Sequence, residues 1–153
     1  MAGYYFDEFA VGRVFKHPIR RTVTETDNVL FSTLTHNPAP LHIDHEYMRT
    51  NSEFGRPLMN SFFTLGLIVG ISINDTTLGT TVANLGLTEV RFPAPLFVGD
   101  TVHVETEVMA TRPSESRPHN GILTLEHRGY NQHDVLVAIC RRAVLMQRAP
   151  QDK

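Results

Sequence analysis

Short helical and strand patterns alternate along the first half of the chain, and strands dominate the second. Val14 to Arg21 reads as a strand that Pro18 interrupts. The acidic, aromatic stretch before it, Tyr4 to Gly12, is expected to wrap the surface. Thr24-Glu25-Thr26-Asp27 has the form of a helix start, with Thr24 as N-cap and acids in the first turn. Val29, Leu30 and Leu34 then share one helical face. Pro38 and Pro40 predict an extended loop over Asn37 to Leu41. Asp44 caps a short helix over His45 to Thr50, and a loop through Gly55 and Pro57 follows.

Asn60 or Ser61 opens the most apolar helix, which ends near Asn74. Phe62, Phe63, Leu65, Leu67, Ile68, Val69, Ile71 and Ile73 cover all its sides, the pattern of a buried helix. Gly66 and Gly70 lie one turn apart in it. Each costs about 1 kcal/mol of helix propensity against Ala, so a second backbone, that of a sheet, is expected close by. From Thr80 onward the period becomes two: Val102, Val104 and Val108 alternate with His103, Glu105 and Glu107, and Ile122 to Tyr130 and Val135 to Met146 continue the strands. Gly99-Asp100 and Asn131 to Asp134 supply turns. The order predicts one α+β domain over residues 1–153, an antiparallel sheet with one helix on its concave face. Exposed sheet edges are commonly covered by a second copy.

Composition narrows the function classes. The 153 residues are 41% hydrophobic and 20% charged, a globular balance, and the net charge of -2 lacks the basic surplus of a nucleic-acid binder. Cys140 is the single cysteine, so neither an intrachain disulfide nor a cysteine-based zinc site is available; it reads as a core thiol. The start, MAGYYFDEFAVGR, lacks a signal-peptide pattern, and the run from Phe62 to Ile73 is too short to span a bilayer, so a cytoplasmic location and no membrane partner are expected. Eight histidines are many for this length.

Chemistry concentrates at His36-Asn37-Pro38-Ala39-Pro40-Leu41-His42-Ile43-Asp44. Two prolines stiffen the loop. His42 is the best general acid/base candidate, since imidazole titrates near neutrality. Asn37 could orient a water or carbonyl but cannot be a base, and a turn in which His42 only caps a backbone group is an equally good reading of the spacing. The helix start at Asn60-Ser61 offers free N–H groups and a positive dipole end to a developing oxyanion, or is an ordinary cap.

These residues resemble the MaoC-like, hot-dog-fold (R)-specific enoyl-CoA hydratases and dehydratases. The family loop reads Gly-Asp-x-Asn-Pro-Leu-His, with Asp two residues on; here it stands as His36 to His42 with Asp44. Phe54 to Ser61 resembles the Phe-x-Arg-Pro-Ile-Val-His-Gly segment that leads into the hot-dog helix, and Arg91 to Asp100 resembles Phe-x-x-Pro-Val-x-x-Gly-Asp. The resemblance covers about residues 5 to 147 and implies a helix wrapped by a curved antiparallel sheet, pairing into a homodimer. It also implies an acyl-CoA substrate and no metal or redox cofactor. Carried over, His42 matches the catalytic His and Ser61 the residue whose N–H holds the thioester oxygen. Asn60, Arg56, Asn84 and Gly86 are the substrate-binding candidates. Arg56 could pair with a carboxylate or CoA phosphate or be structural, and Asn84 and Gly86 mark either ligand approach or a β-bulge.

The family's catalytic Asp is Asn37 here, and its loop Asn is Ala39. Either His42 alone is the base with Asn37 orienting the water, or hydration is lost and the pocket binds acyl-CoA or hydrolyses a thioester. The wording around the loop also resembles a branch acting on small branched dicarboxylyl-CoA esters of the mesaconyl or itaconyl type. Surface or capping roles suit His36, His45 and Asp44. His103, His119, His127 and His133 read as solvated, with no metal spacing.

Overall fold

The computed structural model describes residues 3–150. Residues 1–2, where the leader reading begins, and residues 151–153, in the tail expected to fray, lie outside the described residues. After a short 3-10 helix at Phe6–Glu8, four α-helices and six strands of the described residues follow in order: β1 (Val14–Lys16), β2 (Arg21–Thr22), α1 (Glu25–Leu34), α2 (Pro40–Ile43), α3 (His45–Asn51), α4 (Ser61–Ile73), β3 (Thr81–Arg91), β4 (Thr101–Pro113), β5 (Asn120–Tyr130) and β6 (Leu136–Gln147). The strands form one antiparallel sheet in the order β1-β4-β5-β6-β3, with β2 also on β4. Helix α4 packs against its inner face, touching β4, β5 and β6. This is the α+β hot-dog layout expected from the sequence. None of the described helices is long and apolar enough to cross a membrane.

Strand parity builds the core. Val102, Val104, Thr106 and Val108 of β4 point inward, as do Leu123, Leu125 and His127 of β5. One apolar cluster joins Val102 and Val104 of β4 and Val137, Ala138 and Cys140 of β6 to α4 through Leu65, Ile68 and Ile71. A second lies under the chain start, where Phe6, Phe9 and Phe15 pack on Val108, Leu123 and Met146. The first segment is thus anchored in the core by two phenylalanines, rather than lying over the surface. Gly121 makes room for it, since a Cβ there would stand 2.2 Å from the Phe6 ring.

A polar layer crosses the core between the two clusters. His17 binds Asp75 through Nδ1 (2.6 Å) and Thr106 through Nε2 (2.8 Å), and Thr106 also meets His127 Nδ1 at 2.8 Å. His127 therefore departs from the solvated reading: even spacing from Leu125 puts it on the inner face, with 0% exposure. Arg142, 3% exposed, follows on β6. Burial, reinforced by the nearby Arg142 and His17 charges, holds His127 well below the ordinary imidazole range. Cys140 is buried as expected, and burial pushes its thiol up to about 11.

Two further expectations change. Helix α4 is not covered on all sides: Phe62 is 72% exposed, and nothing lies within 4 Å of a Cβ built on Gly66 or Gly70. The sheet packs on the opposite face, through Thr64, Leu65, Ile68 and Ile71. In α1 the apolar residues turn outward, with Val29, Leu30 and Leu34 at 42%, 56% and 71% exposure, while Asn28 and Ser32 are buried.

His127 gives stability a sign with pH. An unfolded imidazole takes a proton below about pH 6.5, and the buried one resists it, so the unfolded state binds more protons and stability falls as pH drops. The urea midpoint is expected to fall between pH 7.5 and 5.5, with a shallower slope in His127→Gln. Equal slopes would remove His127 from this role.

Candidate active site

The loop carrying His42 is fixed at both ends by local chemistry. Helix α1 ends in a Schellman turn: the His36 N–H donates to Thr33 O (3.2 Å) and the Asn37 N–H to Ser32 O (2.8 Å), with His36 at φ 53°. Asn37 Oδ1 then accepts the Ala39 N–H at 3.1 Å. Pro40 does not extend the loop but starts α2, because at the first helical position its missing N–H costs nothing. Leu41 is accordingly helical. Asp44 caps α3, accepting the Tyr47 N–H at 2.8 Å, as its position in the sequence predicts.

His42 Nδ1 lies 2.9 Å from Leu58 O. A carbonyl only accepts, so Nδ1 carries the hydrogen, and in the neutral ring Nε2 keeps the lone pair. His42 and Ser61 line one cavity of about 380 Å³. Its walls include Leu41, Phe54, Met59, Phe92, Leu96 and Val137. Ser61 is the first residue of α4, so its N–H has no acceptor within the helix and sits at the positive dipole end. Asn60 caps the helix, its Oδ1 accepting the Phe62 N–H at 3.0 Å. It is 2% exposed and contributes to the site by shaping the helix start.

One residue that the sequence reading did not single out joins these parts. Asn28, 1% exposed, donates through Nδ2 to His42 O (2.7 Å) and Leu58 O (2.9 Å), and its Oδ1 accepts the Asn60 N–H (2.8 Å). The signal available was a polar pair, Asn28 and Ser32, spaced i, i+4 beside the aromatic Phe31. Leu58 is the other hub, because its carbonyl receives both Asn28 and His42 while its N–H donates to Leu41 O at 2.9 Å.

The remaining candidates lie elsewhere. Asn37 lines a separate cleft with Ser32, His36 and Ile43, so His42 and Asn37 do not share a cavity. Arg56 lays its guanidinium over the Phe97 ring at 3.8 Å, and Phe97 packs on Phe54 of the cavity wall (6.0 Å between centroids). Asn84 and Gly86 lie on the exposed strand β3, outside the His42 cavity, at a register shift against β6 that fits a β-bulge. His45 is exposed and binds Glu25 at 2.6 Å. Among the described residues no group of three His, Cys, Asp or Glu is placed to hold a metal ion.

Removing the Asn28 amide strips partners from buried backbone groups, each worth about 1–3 kcal/mol when unsatisfied. Asn28→Ala is expected to lose about 2–4 kcal/mol in denaturant unfolding. A loss under about 0.5 kcal/mol, the scale of an ordinary surface change, would show that these groups find other partners.

Comparison with known proteins matches this arrangement. The model of the MaoC like domain matches residues 8–131. A mesaconyl-CoA hydratase of Cereibacter sphaeroides is 28% identical over 147 residues, covering 96% of this chain but 42% of that protein. The chain thus spans about two fifths of the length of the curated relatives it matches first. The (R)-specific enoyl-CoA hydratase of Aeromonas caviae is 33% identical, over 75% of this chain and 79% of that protein. The crystal structure of a MaoC-like dehydratase from Rhodospirillum rubrum superposes with a TM-score of 0.84 at 29% identity, covering 97% of this chain and 100% of that one. A hot-dog sheet around α4, a histidine loop pinned to the start of that helix, and a family match over most of its length together assign the chain to the MaoC-like domain family.

Proposed function

We propose that the protein is an enoyl-CoA hydratase or dehydratase, with mesaconyl-type esters among its substrates. The observation that carries the reading is the pinned ring of His42: Nδ1–H is spent on Leu58 O, which leaves Nε2 as a base in the cavity that Ser61 also lines. Relatives named for mesaconyl-CoA hydration, β-methylmalyl-CoA dehydration and (R)-specific enoyl-CoA hydration support the substrate class.

In the proposed cycle the thioester oxygen accepts the Ser61 N–H. His42 Nε2 takes a proton from water while the water oxygen bonds to the β-carbon. The double-bond electrons move onto the thioester oxygen, where the Ser61 N–H and the helix dipole stabilise the charge. As the enolate collapses, His42 returns the proton to the α-carbon. Atoms and charge balance with one proton carrier, and the cycle draws on no metal or redox group. Asn37 is outside this cavity, and its side-chain oxygen is held by the Ala39 N–H, so the cycle assigns it no proton. Thioester hydrolysis is the weaker reading, since no carboxylate lines the cavity to attack the carbonyl. A cytoplasmic location is part of the same proposal.

We further propose that the active form is a homodimer. All eleven residues of β3 are exposed, Val82, Leu85, Leu87 and Val90 among them. The outer face of α4 adds Phe62 and the open glycines. An apolar edge strand of this length is a template for a second copy.

With crotonyl-CoA and mesaconyl-CoA, His42→Ala is expected to lower kcat by about 10²–10⁴-fold. Hydration of neither ester by the wild type, or full activity in His42→Ala, would refute the cycle. For assembly, sedimentation is expected to give twice the chain mass of 17.2 kDa, and Leu85→Lys with Val90→Lys to give the chain mass. A monomeric wild type would remove the dimer.

A further inference from the structure

The polar layer that crosses the core ends in a charge without a counter-charge. Arg142 of β6 is 3% exposed, and the Nε and Nη2 nitrogens along one edge of its guanidinium are buried with no hydrogen-bond partner. Those two N–H groups form the fork that grips an anion side-on. Among the described residues the nearby carboxylates are engaged elsewhere: Asp75 by His17, and Glu126 by Arg128 and Arg141. A guanidinium stays charged at neutral pH, and a buried charge left alone is strongly destabilising.

A second unpartnered group faces the same interior. His127 is 0% exposed and its Nε2 has no partner. Strand register sets the two side by side: His127 of β5 lies opposite Cys140 of β6, and Arg142 is the next residue of β6 on that face. Diagonal neighbours of this kind stand about 7 Å apart, within reach of a long side chain. Thr106 sets what Nε2 offers. Its hydroxyl lies 2.8 Å from both His17 Nε2 and His127 Nδ1, and it has one hydrogen to give. When that hydrogen goes to His127 Nδ1, the neutral ring carries its own on Nε2 and becomes a third donor beside the fork. His17 then donates through both nitrogens, to Thr106 and to Asp75.

This combination selects a chemical class. Water meets the N–H groups but leaves the charge unanswered. Sulfate and phosphate bring more charge and more acceptor oxygens than one guanidinium and one imidazole can serve. The inward neighbours Leu125, Cys140 and Val144 are buried and apolar, which leaves the place to a small, bare ion. We propose that the core holds one small monovalent anion, of the chloride class, between the Arg142 fork and His127 Nε2. Neither residue lines the His42 cavity, so the ion stabilises the fold and takes no part in the proposed hydration cycle.

The test follows urea unfolding of the whole chain by circular dichroism while sodium chloride replaces sodium gluconate at constant ionic strength. In the wild type the unfolding equilibrium constant is expected to fall at least about tenfold between about 5 and 500 mM chloride, by mass action on the folded state. Arg142→Met removes the fork and keeps an apolar chain of similar length. Replacing an unpaired buried charge in this way is compatible with folding, and the variant should show no chloride dependence. Crystals of the wild type grown in sodium bromide should give an anomalous peak within hydrogen-bond range of Arg142 Nε and Nη2. Equal chloride dependence in wild type and Arg142→Met, or none in either, would overturn the site. Water on the fork in the bromide crystals, or a carboxylate of a second copy, would overturn it too. A bromide peak without a chloride effect is an adventitious ion only and counts against the site. If Arg142→Met does not fold, the wild type decides. Chloride dependence together with bromide on the fork upholds the site, and the lack of either overturns it.

Discussion

The site depends on one buried carboxamide. Asn28 reaches from α1 to the His42 carbonyl, the Leu58 carbonyl and the Asn60 N–H, and so ties the histidine loop, the strand-like approach to α4 and the helix start to a single point. Only a side chain with two donors and an acceptor can do this. The His42 ring then takes the second lone pair of the same Leu58 carbonyl, which fixes both its orientation and its tautomer. The distance between the base and the Ser61 N–H is therefore set by backbone groups that Asn28 holds, and neither end can move alone.

That arrangement explains why α1 lies with its polar side inward. It covers a site made of backbone carbonyls and N–H groups, which Asn28 can satisfy and a leucine could not. Val29, Leu30 and Leu34 are left outside as a consequence. Together with β3 and the outer face of α4, they give the chain more exposed apolar surface than scattered single residues account for. The glycines of α4 belong to the same picture: the expected close backbone does not come from this chain's own sheet, which packs on the other side of the helix.

What was legible in the sequence follows the range of each interaction. Caps are local, so Thr24, Asp44 and Asn60 were readable, and strand parity gave the core valines. The histidine loop and its neighbours were readable as a motif. Long-range polar pairing was not. Asn28 meets partners 14, 30 and 32 residues away, which no spacing rule encodes. His127 was misread because histidine is usually solvated, although counting by twos from Leu125 puts it inside. The resemblance set Asn37 in one site with His42, but the Schellman turn and the start of α2 at Pro40 leave the two residues lining different cavities.

The same separation constrains the chemistry. In a site with a carboxylate and an imidazole, one group can take the proton from water while the other protonates carbon, and the two can work from different sides of the substrate. Here one imidazole, held through Nδ1, presents one lone pair to the cavity. Under the proposed cycle it must serve both bonds, so the hydroxyl and the α-proton arrive on the same face of the double bond. The enolate must also survive while the proton is carried from the β-carbon side to the α-carbon. That places more of the catalytic burden on the start of α4, with its free N–H and its dipole. The Asn28 amide, which holds this helix start against the histidine loop, is thus as much a part of the chemistry as the ring it positions.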